Sequence, residues 1–93
     1  MKIAILGGTG ALGLGLASRW IRSGHEVLIG SRTIESAKSA CGKLNINEDQ
    51  GMLNVDAASH AEIACLTVPF SFQLDILLEV KDALSGKILI DGT

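Results

Sequence analysis

The sequence predicts an α/β domain built on a parallel, doubly wound sheet of five strands in the order 3-2-1-4-5. Three observations carry this. Short apolar runs that suit buried parallel strands recur along the chain: Ile3-Ala4-Ile5-Leu6, Val27-Leu28-Ile29, Ile63-Ala64-Cys65-Leu66 and Ile88-Leu89-Ile90. Between them, apolar residues return at three- and four-residue steps, the mark of a helix face. Turns rich in glycine or polar residues separate the two kinds of stretch. Strands that alternate with helices join by right-handed crossovers and pair in parallel.

The elements follow in order. Lys2–Leu6 is the first strand, and the turn Gly7-Gly8-Thr9-Gly10 leaves it. The first helix runs from about Gly10 to Ser23, with Leu12, Leu16, Ala17, Trp20 and Ile21 on its apolar face. Gly24 stands where a left-handed stop belongs, and His25 reads as a turn residue beside it. Val27–Ile29 is the second strand, ended by Gly30. The second helix spans Thr33–Leu44, with Ala37, Ala40 and Cys41 as its small residues and Glu35, Lys38 and Lys43 as a solvated face.

Residues 45–50 are polar and turn-like. Met52–Val55 reads as the third strand, and Asp56–Ala61 as a brief helix capped by Asp56, with His60 exposed on it. The fourth strand, Ile63–Val68, stops at Pro69, which cannot continue a central ladder. The last helix runs from Phe70 to about Leu84, with Phe70, Leu74, Leu77 and Leu84 on one face and Ile76 and Val80 widening it. Ser85-Gly86 ends it, and Lys87–Asp91 is the fifth strand.

A chain of 93 residues holds one domain, and 47% hydrophobic residues with 11 glycines suit a compact α/β unit with tight turns. The net charge of −2 comes from scattered residues, so no basic stripe points to nucleic acid. The first apolar run stops at Gly7, too soon for a signal peptide or a membrane helix. Cys41 and Cys65 lie far apart and outside any C-x-x-C pattern, so neither a metal nor a disulfide is expected. A reducing, cytoplasmic setting is the expectation.

The chemistry sits in the first turn. Gly8, Gly10 and Gly13 fill the slots of G-x-G-x-x-G, between a strand and a helix, the setting of a Rossmann-type dinucleotide site. Gly8 allows the tight turn, Gly10 lets a pyrophosphate approach the backbone, and Gly13 lets helix and sheet pack closely. The helix N-terminus then faces the phosphates with free N–H groups and a positive dipole end. The switch point lies between strands one and four, so Thr67-Val68-Pro69-Phe70 should border the same crevice.

The end of the second strand selects the cofactor. NAD-binding domains place an acidic residue there, about 20 residues past the glycines, to hold the ribose 2′-OH. Here the strand ends Ile29-Gly30-Ser31-Arg32, with no carboxylate. Arg32 offers a fork of donors to a 2′-phosphate, Ser31 adds a hydroxyl and Thr9 another, so NADP(H) is expected over NAD.

Ile5-Leu6-Gly7-Gly8-Thr9-Gly10, Gly24-His25-Glu26-Val27, Ile29-Gly30-Ser31-Arg32 and Leu66-Thr67-Val68-Pro69-Phe70 together resemble the NADPH-dependent reductases of the deazaflavin coenzyme F420. The resemblance spans the whole chain. It implies hydride exchange between NADP(H) and the deazaflavin, with no catalytic acid or base. It also implies that Thr9, Gly10, Ala11 and Leu12 cradle the pyrophosphate, that Ser31 and Arg32 hold the 2′-phosphate, and that Phe70 and Leu74 pack beside the cofactor. The family often carries a basic residue where this chain has Ser36, one helical turn past Arg32. Its members continue for about another domain, which closes the deazaflavin site and forms a homo-oligomer, so the chain is expected to be the N-terminal, NADP-binding part of a longer reductase.

Other readings stay open at this stage. Gly7, Gly10 and Gly13 also satisfy G-x-x-G-x-x-G of extended short-chain dehydrogenases, but those need a tyrosine and this chain has none. Pyrroline-carboxylate reductases and hydroxyacid dehydrogenases share the half-domain. A non-catalytic NADP-binding module is the reading from a different class.

Overall fold

The chain forms β1 (Lys2–Leu6), α1 (Ala11–Arg22), β2 (Glu26–Ser31), α2 (Ile34–Leu44), β3 (Gly51–Leu53), α3 (Asn54–His60), β4 (Ile63–Leu66), α4 (Phe70–Val80) and β5 (Ile88–Asp91). The structure is a computed structural model that describes residues 1–7, 10–67 and 70–91, and for 70–74 and 91 the backbone alone. The five strands make one sheet in the order β3-β2-β1-β4-β5, and every pairing is parallel. This is the doubly wound order that the alternation of strand and helix predicts.

The pleat explains the two layers. Ala4 and Leu6 of β1 face one side, where they join Leu28, Ala57, Ala58, Ala64, Leu66, Ile76 and Val80 in a core covered by α3 and α4. Ile5 faces the other side, with Val27, Ile29, Ala17, Ala40 and Cys41 under α1 and α2. Side chains on both faces of β1 are therefore taken out of water, which is why its sequence is apolar without alternation.

Helix α1 ends as its sequence predicts. Gly24 has φ +90°, its N–H donates to the Ile21 carbonyl and the His25 N–H donates to the Trp20 carbonyl, each at 3.0 Å. That is a Schellman stop, and His25 belongs to it structurally. The start of α1 departs from expectation at Leu12, which is 47% exposed and stands outside the core stripe. The stripe runs instead through Ala17, with Leu14, Leu16, Trp20 and Ile21 partly buried against it.

Several boundaries move. Gly30 and Ser31 lie within β2, because both pair with β3, Gly30 with Met52 and Ser31 with Leu53. β3 ends at Leu53 rather than Val55, and Asn54 and Val55 open α3 instead of continuing a strand. Asp56 is not the cap of α3; Leu53 holds that position without a side-chain bond, and Asp56 lies in the first turn. The charge of Asp56 still suits the positive end of the helix dipole. β4 is assigned only to Leu66, and α4 ends at Val80 rather than near Leu84, with residues 81–86 forming turns. Among the described side chains of α4, Ile76 and Val80 are buried and Leu77 is partly buried.

Candidate nucleotide site

The carboxyl ends of β1 and β2 adjoin. Their register pairs Leu6 with Gly30, so Gly7 leaves β1 beside the point where Ser31 ends β2. Gly7 has φ +70°, a left-handed conformation that favours glycine, and it turns the chain off the strand.

Two side chains hold this turn. The Gly7 N–H donates to Oδ1 of Asn54 at 3.0 Å, and Thr67 Oγ1 donates to the Leu6 carbonyl at 3.2 Å, with the Gly7 carbonyl 3.4 Å away. Thr67 is buried, and its hydroxyl proton is engaged on the end of β1. Asn54 is fully buried. A Cβ on Gly30 would stand 2.7 Å from Asn54 Oδ1 and 3.1 Å from Asn54 Cα, so β2 needs glycine where α3 seats on it. The Asn54 Nδ2 group is buried with no hydrogen-bond partner.

Helix α1 starts at an open backbone. Gly10 is its N-cap, in an extended conformation with no side-chain cap bond, and the first turn carries no acidic residue. A Cβ on Gly10 would meet nothing within 4 Å, so the space above it is clear. An uncapped helix N-terminus with unfilled space and no competing carboxylate suits an anion such as a pyrophosphate. Ala11 and Leu12 are exposed and line an open groove of about 300 Å³ with Gly15, Leu16 and Arg19. Gly13 is buried in α1.

At the end of β2, Ser31 is buried, and Arg32 is exposed just beyond it. Thr33 caps α2 by accepting from the Ser36 N–H at 3.2 Å. Ser36 is exposed one turn past Arg32, on the rim of an open groove lined by Glu35, Ser39, Ala40 and Lys43. The donor set here is a guanidinium and hydroxyls, the chemistry that a 2′-phosphate needs.

The family model for NADP oxidoreductases, coenzyme F420-dependent, matches residues 2–93. The chain belongs to this family. An F420-dependent NADP reductase of Methanothermobacter marburgensis is 52% identical over the whole chain, and its counterpart in Methanothermobacter thermautotrophicus is 46% identical. The enzyme of that name from Methanocaldococcus jannaschii is 39% identical over 97% of the chain. The chain spans 44, 43 and 44% of these three relatives' lengths. A crystal structure from Arthrobacter sp. FB24, provisionally assigned as an F420-dependent NADP-reductase, superposes with a TM-score of 0.79 at 29% identity, over 98% of this chain and 44% of that one. An imine reductase from Streptomyces aurantiacus shares the fold, with a TM-score of 0.75 at 20% identity, over 98% of this chain and 31% of that one.

In this F420-dependent oxidoreductase family member, the structure brings together the exits of β1 and β2 and Thr67. Of the other residues that the sequence places at the site, Gly8, Thr9, Val68 and Pro69 lie outside the described residues, and Phe70 and Leu74 are described by backbone alone, in α4. Sequence reasoning missed Asn54. Little in the sequence marks it: Leu53 rather than Asn54 holds the cap position of α3, and the bond from Gly7 joins residues 47 apart. It also missed why Gly30 is a glycine.

No helix among the described residues is long and apolar enough to cross a membrane. Among them, too, no group of three or more His, Cys, Asp or Glu residues is placed to hold a metal. His60 is exposed, with Nδ1 2.8 Å from the Asp56 carbonyl oxygen of its own helix. Burial pushes the Cys41 thiol above its ordinary pKa, and the Glu48 carboxylate adds to the effect.

Proposed function

We propose that this chain is the NADP(H)-binding, N-terminal domain of a reductase that exchanges hydride between NADP(H) and the deazaflavin coenzyme F420. The observation that carries the cofactor half is the exit of β2, where Ser31 and Arg32 stand in place of a carboxylate, beside the turn that leaves β1. Membership of the F420-dependent family supports the deazaflavin half.

Each residue has a task in this reading. The backbone N–H groups at the start of α1, from Ala11 to Gly13, hold the pyrophosphate, and the clear space at Gly10 lets it approach. Arg32 and Ser31 hold the 2′-phosphate, with Ser36 and Thr9 as further hydroxyl donors. Thr67 fixes the end of β1, and Val68, Pro69, Phe70 and Leu74 are the residues after it that this reading assigns to cofactor binding. The nicotinamide and deazaflavin rings supply the hydride chemistry. The protein orients them and excludes water, so no side chain has to transfer a proton. Its partners are these small molecules.

Binding resides in these residues, and turnover belongs to the longer protein. Calorimetric titration of the chain should show NADPH binding more tightly than NADH. A mixture of the chain, NADPH and oxidised F420, followed by the deazaflavin's visible absorbance, should turn over far below about 1 per second. Equal affinity for the two nucleotides would overturn the cofactor assignment. Turnover at an ordinary enzyme rate would overturn the division of labour.

A further inference from the structure

Asn54 is the one fully buried polar side chain among the described residues whose placement the fold alone does not explain. It opens α3 without capping it, since Leu53 holds the cap position and no side-chain bond is made there. Its Nδ2 donors are buried without a partner, and a buried donor left unpaired destabilises a fold. An apolar residue of the same shape would avoid that penalty. What the carboxamide does make is one bond, from the Gly7 N–H to Oδ1 at 3.0 Å. That bond lies between residues 47 apart in sequence and fixes a glycine with φ +70° at the exit of β1. The same Oδ1 rests on Gly30, where even a methyl group would displace it.

We propose that Asn54 is a positioning residue for dinucleotide binding, which sets the pyrophosphate turn against the end of β2. The proposal rests on the nucleotide reading above. In it, the carboxamide is kept at the expense of stability because its acceptor orients the Gly7 peptide, from which the turn runs into α1. Asn54 touches no cofactor in this role. Its loss should therefore act on the pyrophosphate, which NADPH and NADH share, and leave the 2′-phosphate contacts at Ser31 and Arg32 in place.

The test compares the wild-type protein with Asn54→Leu, and with Asn54→Ala in case leucine is not accommodated. Each protein is titrated with NADPH, NADH and adenosine 2′-monophosphate well below its melting temperature. Both variants should lose about 10-fold in affinity for NADPH and for NADH alike, the effect of one misplaced hydrogen-bonding group. Affinity for adenosine 2′-monophosphate should stay within about twofold, and Asn54→Leu should melt no lower than wild type. A merely structural residue would give the opposite pattern, a lower melting point with unchanged dinucleotide affinity, and that result would overturn the proposal. So would a matching loss for adenosine 2′-monophosphate, or a failure of both variants to fold. A wild-type protein that binds neither dinucleotide would overturn the nucleotide reading and this proposal with it. A wild type that binds, beside variants that bind equally well, would overturn this proposal alone.

Discussion

β1 and β5 read alike in sequence, Ile3-Ala4-Ile5-Leu6 against Ile88-Leu89-Ile90, yet the fold treats them differently. Ala4, Ile5 and Leu6 are completely buried, whereas Ile88, Leu89 and Ile90 are 62, 43 and 41% exposed. β1 pairs with β2 and β4 and has helices on both faces, while β5 pairs only with β4 among the described residues. An apolar run specifies a strand; its rank in the sheet decides how much water it loses. The tight side of the molecule, β1 and β2 with the ends that leave them, is also where the candidate site lies.

The contrast should appear first in stability. Ile5→Ala removes a fully buried side chain and should cost about 2–5 kcal/mol. Ile90→Ala, at an exposed edge, should cost less than about 1 kcal/mol. Thermal melts of the two variants check this, and equal losses would break the comparison.

A finer contrast lies within the first turn and helix. Gly13 is buried and Gly10 faces clear space. Gly13→Val should lower stability by about 1–3 kcal/mol through overpacking. Gly10→Val should leave the melt nearly unchanged and abolish NADPH binding, because its side chain occupies the pyrophosphate's place. Parallel melts and titrations separate the two roles, and equal melting temperatures would contradict the division.

The smallest effect concerns pH on the tight side. Cys41 is buried against β3, its Sγ 3.0 Å from where a Cβ on Gly51 would stand, and burial raises its pKa. Below the ordinary thiol pKa both folded and unfolded chains keep the proton, so stability is undiminished. As pH rises past that value the unfolded chain ionises first, and stability falls until the folded thiol also ionises. Urea midpoints measured from neutral to alkaline pH should decline, and Cys41→Ala should flatten the decline. An unchanged slope in Cys41→Ala would assign it to other groups.

The strand order was legible in the sequence because it follows from the alternation of apolar runs with helical stretches. The place of Ser31 and Arg32 at the exit of the second strand was legible as well, since it needs a strand boundary only to within a residue or two, although Ser31 is the last residue of β2 rather than the first beyond it. The region around Asn54 was not. A three-residue edge strand carries too few residues for a period, and helix α3 starts without a polar cap. Asn54 therefore read as part of a strand, Met52–Val55, and the bond from Gly7 to its side chain, which only the fold creates, could not be seen. Gly30 misled for a related reason. It looks like a strand terminator but is a contact glycine inside β2, required by Asn54 above it.

The central claim is that the exit of β2 reads the 2′-phosphate of NADP(H). Titrating NADPH and NADH into wild type and Arg32→Ala tests it most directly. Hydrogen bonds to charged groups are worth about 1.5–3 kcal/mol, and salt screens them at this exposed position. Arg32→Ala should weaken NADPH binding by roughly 10- to 100-fold. NADH should change only a few-fold, through lost stacking on the adenine. If both affinities fall by the same factor, Arg32 does not clamp a phosphate, and the assignment of this domain to NADP(H) loses its main support.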